Sequence, residues 1–137
     1  MAIILSSQYK AEGIQFLTPS AYSQQLGYMN RPAGYKIQPH LHNVIARQVS
    51  LTQEVLIVKS GVVRVDFYSV NRIYLESAIL SSGDIILLAS GGHGFEILED
   101  AEIVEVKQGP YSSDEDKIRF DGVDEEYIRI NTMPDIS

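Results

Sequence analysis

A chain of 137 residues with 45% hydrophobic side chains is long enough to bury one core of its own, and its lack of cysteine excludes disulfide scaffolds, thiolate metal sites and cysteine nucleophiles. The formal charge of −7 is uneven, because Pro110 to Ser137 carries eight acidic and three basic residues while the rest carries ten and eight. No basic stripe is present to meet a phosphate backbone, so nucleic acid is not an expected partner. The opening apolar run, Met1 to Leu5, is too short for a signal peptide or a membrane span, so no membrane association and a cytoplasmic location are expected.

Thr18 and Pro19, ahead of Ser20 to Leu26, fit the cap and first position of a short N-terminal helix, or else a loop. Gln25 to Asn30 reads as a short strand, ended by Arg31-Pro32-Ala33-Gly34. Tyr35 to His42 follows as a strand, with Pro39 pointing to an edge or a bulge because it has no N–H to donate. Arg47 to Val58 reads as a longer strand that turns at Lys59-Ser60-Gly61 into Val62 to Tyr68. There Val63, Val65 and Phe67 alternate with Arg64 and Asp66, the pattern of a sheet with one buried face. Further strands are expected at Ile73–Leu80, Ile85–Leu88, Phe95–Leu98 and Ala101–Lys107, with turns at Ser81–Asp84 and Glu99-Asp100 and a glycine-rich loop over Ala89–Gly94. Strands recur about every ten residues without a long amphipathic helix, which is the pattern of an all-β antiparallel sandwich or barrel. The expectation is one domain over 1–137, with a barrel core over about 25–110 and an acidic tail over 111–137. In that tail Ile118, Phe120, Tyr127, Ile128 and Ile130 are available to dock on the body.

All three histidines lie in or beside glycine-flanked segments: His40 and His42 after Gly34, and His93 inside Gly91-Gly92-His93-Gly94. Two residues apart on a strand, His40 and His42 share a face, where two imidazoles are able to hold one metal ion. Glu54 shares parity with Leu56 and Val58, and His93 with Phe95 and Ile97, so both are expected on the interior face. A carboxylate on an apolar face is costly unless a cation compensates it. Gln48, Ser50 and Thr52 share the parity of Glu54 on a continuous strand, and with Arg47, Tyr35 and Arg64 they are the candidate substrate contacts. Glu96 alternates outward and is expected in solvent. Tyr28, Tyr68 and Tyr74 are expected to pack on the sheets.

Gly34, His40, His42, Glu54 and Gly61 together resemble the first motif of the cupins, and Gly83 through His93 is similar to the second. The likeness covers roughly Gly34 to Val106, with eleven residues between His42 and Glu54 where three or four are usual. Ala89 stands where proline is usual. The resemblance implies a double-stranded β-helix, the cupin jelly-roll barrel. It implies one divalent transition metal (Fe, Mn, Ni, Zn or Cu) on His40, His42, Glu54 and His93, with Gln48 or Gln53 as alternatives to Glu54. Within cupins the chain looks most like the small RmlC-like and WxcM-like proteins, some of them associated with bacterial surface-sugar synthesis. A homodimer is implied as well. Three function classes follow: a metal-dependent oxygenase or isomerase acting on a small polar molecule, a metal-free sugar-nucleotide epimerase or isomerase of the RmlC type, and a non-catalytic small-molecule binding module.

Overall fold

The computed structural model describes residues 1–112 and 116–132, so parts of the acidic tail, 113–115 and 133–137, lie outside the described residues. Its strands are β1 (Ala2–Leu5), β2 (Gly13–Phe16), β3 (Gly27–Asn30), β4 (Glu54–Tyr68), β5 (Tyr74–Ser81), β6 (Ile85–Leu88) and β7 (Gly92–Lys107), and a short 3-10 turn covers Glu125–Tyr127. The protein is all-β, an antiparallel sheet curled into a half-barrel, with β2 and β3 paired separately.

β4 is the spine. Along one edge it pairs with β7 from Glu54 opposite Lys107 to Tyr68 opposite Gly92. Its other edge is shared: β6 takes Glu54 to Ile57, and β5 takes Val62 to Tyr68. β1, in a segment with no strand assignment from sequence, extends the sheet beyond β6. The turns expected at Lys59–Gly61 and Glu99-Asp100 are not chain reversals, since β4 and β7 run through them as bends and keep pairing with each other. The ladder slips register between Val58 and Val63. Gly61 sits at the bend with φ of 83°, and a Cβ there would lie 2.2 Å from the Asp100 carbonyl oxygen. Only glycine fits such a crossing, because it combines a left-handed backbone with contact against a neighbouring strand.

The bend folds the β4–β7 ribbon over itself. A straight strand from Glu54 to Phe67 would run about 43 Å at ~3.3 Å per residue. Yet His93, opposite Phe67 on the ladder, reaches the Glu54 carboxylate at 3.1 Å. The two halves of the ribbon therefore face each other, and the core lies between them: Leu56 and Val58 from one half, Val65 and Phe67 from the other, with Ala78, Leu80, Ile86 and Leu88.

The opposite face of the second half carries Arg64, Asp66 and Tyr68. Alternation puts these in solvent, but the structure buries them under the segment 120–131. The Phe120 ring packs edge-on at 5.1 Å from that of Tyr68, and the Val123 N–H donates to the Tyr68 hydroxyl. Ser77 N–H donates to the Arg129 carbonyl, and Asn131 N–H donates to that of Ser77, which covers the outer edge of β5. Of the tail residues expected to dock, Phe120 and Ile128 are partly buried and Ile130 bridges to Ser77. Ile118 and Tyr127 stay exposed, at 72% and 60%.

An expected helix and two expected strand stretches do not form. Over 18–26 there is no helix, because Thr18 closes a loop: its hydroxyl accepts from Leu26 N–H and donates to the Gln25 side-chain oxygen, while Leu17 N–H donates to the Leu26 carbonyl. The strand stretches are Tyr35–His42 and Arg47–Gln53. The alternation is present there, but these residues have no ladder partner, and every residue from Arg31 to Thr52 is exposed.

Candidate functional site

The site begins with the first residue of β4. Glu54 heads an alternating run with Leu56 and Val58, so its side chain shares their inward face, and the residue is only 6% exposed. A carboxylate so placed needs a compensating partner. β7 supplies one, since His93 lies on the ladder opposite Phe67 and meets Glu54 Oε2 through Nε2 at 3.1 Å. The face it shares with Phe95 and Ile97, expected to be interior, is exposed instead. The hydrogen bond from His93 holds the Glu54 carboxyl below its ordinary pKa. Burial works against this, while the charges of His93, Lys117 and Lys107 work with it. The face of the His93 ring adjoins Phe95, the ring centroids 5.4 Å apart.

His40 and His42 form a second pair, their rings edge-to-face with centroids 5.2 Å apart. His40 Nδ1 lies 3.0 Å from the Gln38 carbonyl, a contact that fixes the ring through its own segment. The structure thus brings the four expected ligands together two by two. Among the described residues, no group of three or more histidines, aspartates or glutamates has the spacing to hold a metal ion. Glu54 and His93 offer one carboxylate and one imidazole from the body; the other two imidazoles are on the exposed segment. No family model, curated protein or solved structure matches the chain.

The expected substrate contacts divide in the same way. Gln48 and Ser50 line a cleft of about 270 Å³ with Tyr22, Ser23, Gln53 and Ser90, next to the strand ends that carry Glu54 and Leu88. Thr52 is turned away to hydrogen-bond Asp116 at 2.9 Å, and Tyr35 is covered by the Arg31 guanidinium at 4.7 Å from its ring centre. Arg47 is exposed on the segment. Arg64 is on the opposite face of β4 from the interior and is 7% exposed. Its guanidinium meets Asp66 at 2.8 Å, Glu96 at 2.7 Å and Glu125 at 3.3 Å; Asp66 foremost and then Glu125 push its pKa further up, against the effect of burial. Glu96 is exposed, as expected, and is also one of those partners. Ser77 and Tyr74 complete this cluster, with the Ser77 hydroxyl donating to Asp66 and sharing a hydrogen bond with Tyr74.

Two residues near the site have roles that sequence reasoning missed. Gln53, weighed only as an alternative ligand, is 4% exposed, and its side-chain oxygen accepts from the Ser23 hydroxyl and Gln24 N–H. It is a structural anchor, as its apolar flank Val55–Leu56 already hints. Lys107 closes β7 opposite Glu54, which puts a positive charge beside the carboxylate. Its only sequence signal is that it ends the last alternating run.

Proposed function

We propose that the protein is a metal-binding cupin that binds or acts on a small polar molecule, with Glu54 and His93 as the fixed half of the metal centre and His40 and His42 as the half delivered by the exposed segment. The observation that carries this is the meeting of Glu54 and His93 across the interior from opposite ends of one folded ribbon. A buried carboxylate beside an imidazole is a donor pair suited to a borderline divalent ion. Adding two imidazoles gives the four donors that the cupin resemblance implies. Bound there, the ion would act as a Lewis acid on a ligand oxygen. The folding of the ribbon into two facing halves supports a jelly-roll closure in which a strand over 35–42 is added beside β7. The mixed lining of the adjacent cleft, uncharged polar side chains such as Ser23, Gln48 and Ser50 beside Ala21, Val49 and Leu51, suits a small uncharged ligand, and a place in surface-sugar metabolism rests on the resemblance alone.

One observation favours a second reading. A histidine hydrogen-bonded to a carboxylate is also the arrangement of a general base and its orienting partner. That would suit a metal-free epimerase or isomerase of the RmlC type. Elemental analysis of protein purified without chelator separates the two. One equivalent of transition metal, lost in His40→Ala/His42→Ala with the fold retained by circular dichroism, is the expected result. Metal content unchanged in that double variant removes the four-ligand centre, and a metal-free protein active on sugar nucleotides selects the second reading.

A further inference from the structure

Two features of this chain are unsatisfied, and they complement each other. The first is the segment 32–47. At one end it adjoins β3, where the Asn30 side chain donates to the Ala11 carbonyl. At the other end Thr52 is bonded to Asp116, and Gln108 N–H donates to the Gln53 carbonyl. Between these anchors the hydrogen bonds stay local: Tyr35 N–H to the Pro32 carbonyl, and His40 to Gln38. Its apolar side chains stand in water, Leu41 at 96% and Val44 at 103% of full exposure, with Ile37 and Ile45 both at 59%. Such a stretch of β-prone apolar residues needs cover.

The second is the outer edge of β7. Among the described residues β7 pairs with β4 alone, so a strand of 16 residues leaves its other edge open. Open edges of that length recruit another strand unless they are blocked. β7 itself bears Glu96, Glu99, Asp100, Glu102 and Glu105 against a single Lys107. The exposed segment has the opposite sign: Arg31, Lys36 and Arg47, and no acidic residue anywhere from Arg31 to Thr52. Strand and edge are therefore complementary in hydrogen-bonding capacity, apolar surface and charge.

We infer that residues 32–47 are an exchanged arm. In a homodimer each copy lays its arm along the free β7 edge of the other, so that His40 and His42 come to Glu54 and His93 of the partner subunit. Among the described residues no hydrogen bond or ion pair joins the arm, held at both ends, to the edge it matches within one copy. A second copy offers the edge and accepts the arm at once, and a two-fold axis satisfies both pairs with one contact. Pro39 suits this place, because an added strand is the new edge and needs no N–H on its outer side. The composite centre rests on the metal-binding reading, whereas the exchange itself rests on the arm and the edge.

Two experiments on the full chain test this. An antiparallel register with His40 opposite His93 sets Gln38 opposite Phe95. Because the chain has no cysteine of its own, Gln38→Cys/Phe95→Cys carries only the two new thiols. After mild oxidation a covalent dimer on a non-reducing gel is expected, and a bridged monomer or no bridge overturns the exchange. The second experiment mixes two variants that each lack half of the centre, His40→Ala/His42→Ala and Glu54→Gln/His93→Ala, by joint refolding with Ni(II). Each variant alone should take up no metal. The mixture should recover about one quarter of the wild-type sites, since half of the dimers are mixed and each mixed dimer has one intact centre of two. Full wild-type metal with no recovery in the mixture overturns the exchange and leaves the centre standing. Wild-type protein that takes up no metal, with the cysteine pair still bridging two chains, removes the centre and leaves the exchange standing.

Discussion

Residues 35–52 and residues 92–107 have sequences of the same kind, alternating apolar and polar side chains of high strand propensity, yet they differ completely in structure. The second stretch is β7, laddered along its whole length to β4. The first has no ladder partner and is exposed throughout up to Thr52. The contrast teaches that alternation selects which side chains would share a face, while the hydrogen bonds of a strand come from a neighbour that the pattern does not name. It also explains why one histidine, His93, is fixed relative to a carboxylate, and the other two only relative to each other.

The sharpest way to test the contrast is to shorten an apolar side chain in each region. Ile86 is fully buried in the core cluster. Ile86→Ala should cost about 2–5 kcal/mol in a urea melt, a loss of packing that the ribbon has no means to refill. Val44→Ala, measured at a concentration where the chain is monomeric, should change stability by no more than about 0.5 kcal/mol. Equal losses at the two positions would mean that the arm packs on its own body. The next effect down concerns the bend that folds the ribbon. Gly61→Ala forces a Cβ against the Asp100 carbonyl at a left-handed backbone position, and should cost about 1–3 kcal/mol by the same melt. Gly34, on the arm, also has a left-handed backbone but no atom within 4 Å of an added Cβ, so Gly34→Ala should bear the conformational strain alone and cost less.

The smallest effect is one of pH. The folded Glu54 carboxyl titrates below its ordinary value of 4.5, so its contribution to stability is complete above 4.5 and fades as the pH falls through the lower folded value. In metal-free protein the urea midpoint of wild type should therefore drop below pH 4.5 more steeply than that of Glu54→Gln. Parallel acid limbs for the two would show that His93 does not hold this carboxylate in solution.

Much of the body was legible in the sequence. β4 through β7 follow from the alternation at Val63, Val65 and Phe67 and from the turn residues before Ile85, because one buried face imposes a period of two. Glu54 lies on that face for the same reason, whereas His93, Phe95 and Ile97 on β7 stay exposed. What the sequence does not carry is contact between distant surfaces. Arg64 and Asp66 look like the outward residues of a strand, and only the docking of segment 120–131 makes them buried. Lys59–Gly61 looks like a hairpin turn, since a glycine with positive φ serves a turn and a bend equally well. The pairing of Glu54 with His93 depends on the fold of the ribbon at that bend, which no spacing along the chain encodes.

The segment that seals the outer face has a consequence for how the chain is born. Asn131, which bonds Glu76, follows it by 55 residues. At a synthesis rate of about 5–20 residues per second, β5 emerges from the ribosome several seconds before the residues that cover its edge. Through that interval the nascent sheet presents the β5 edge and the Arg64–Asp66 pair uncovered, which is a window for chaperone capture or for pairing with a neighbouring nascent chain. Slow decoding between Ser81 and Phe120 would lengthen the window, and the yield of soluble protein should fall with it.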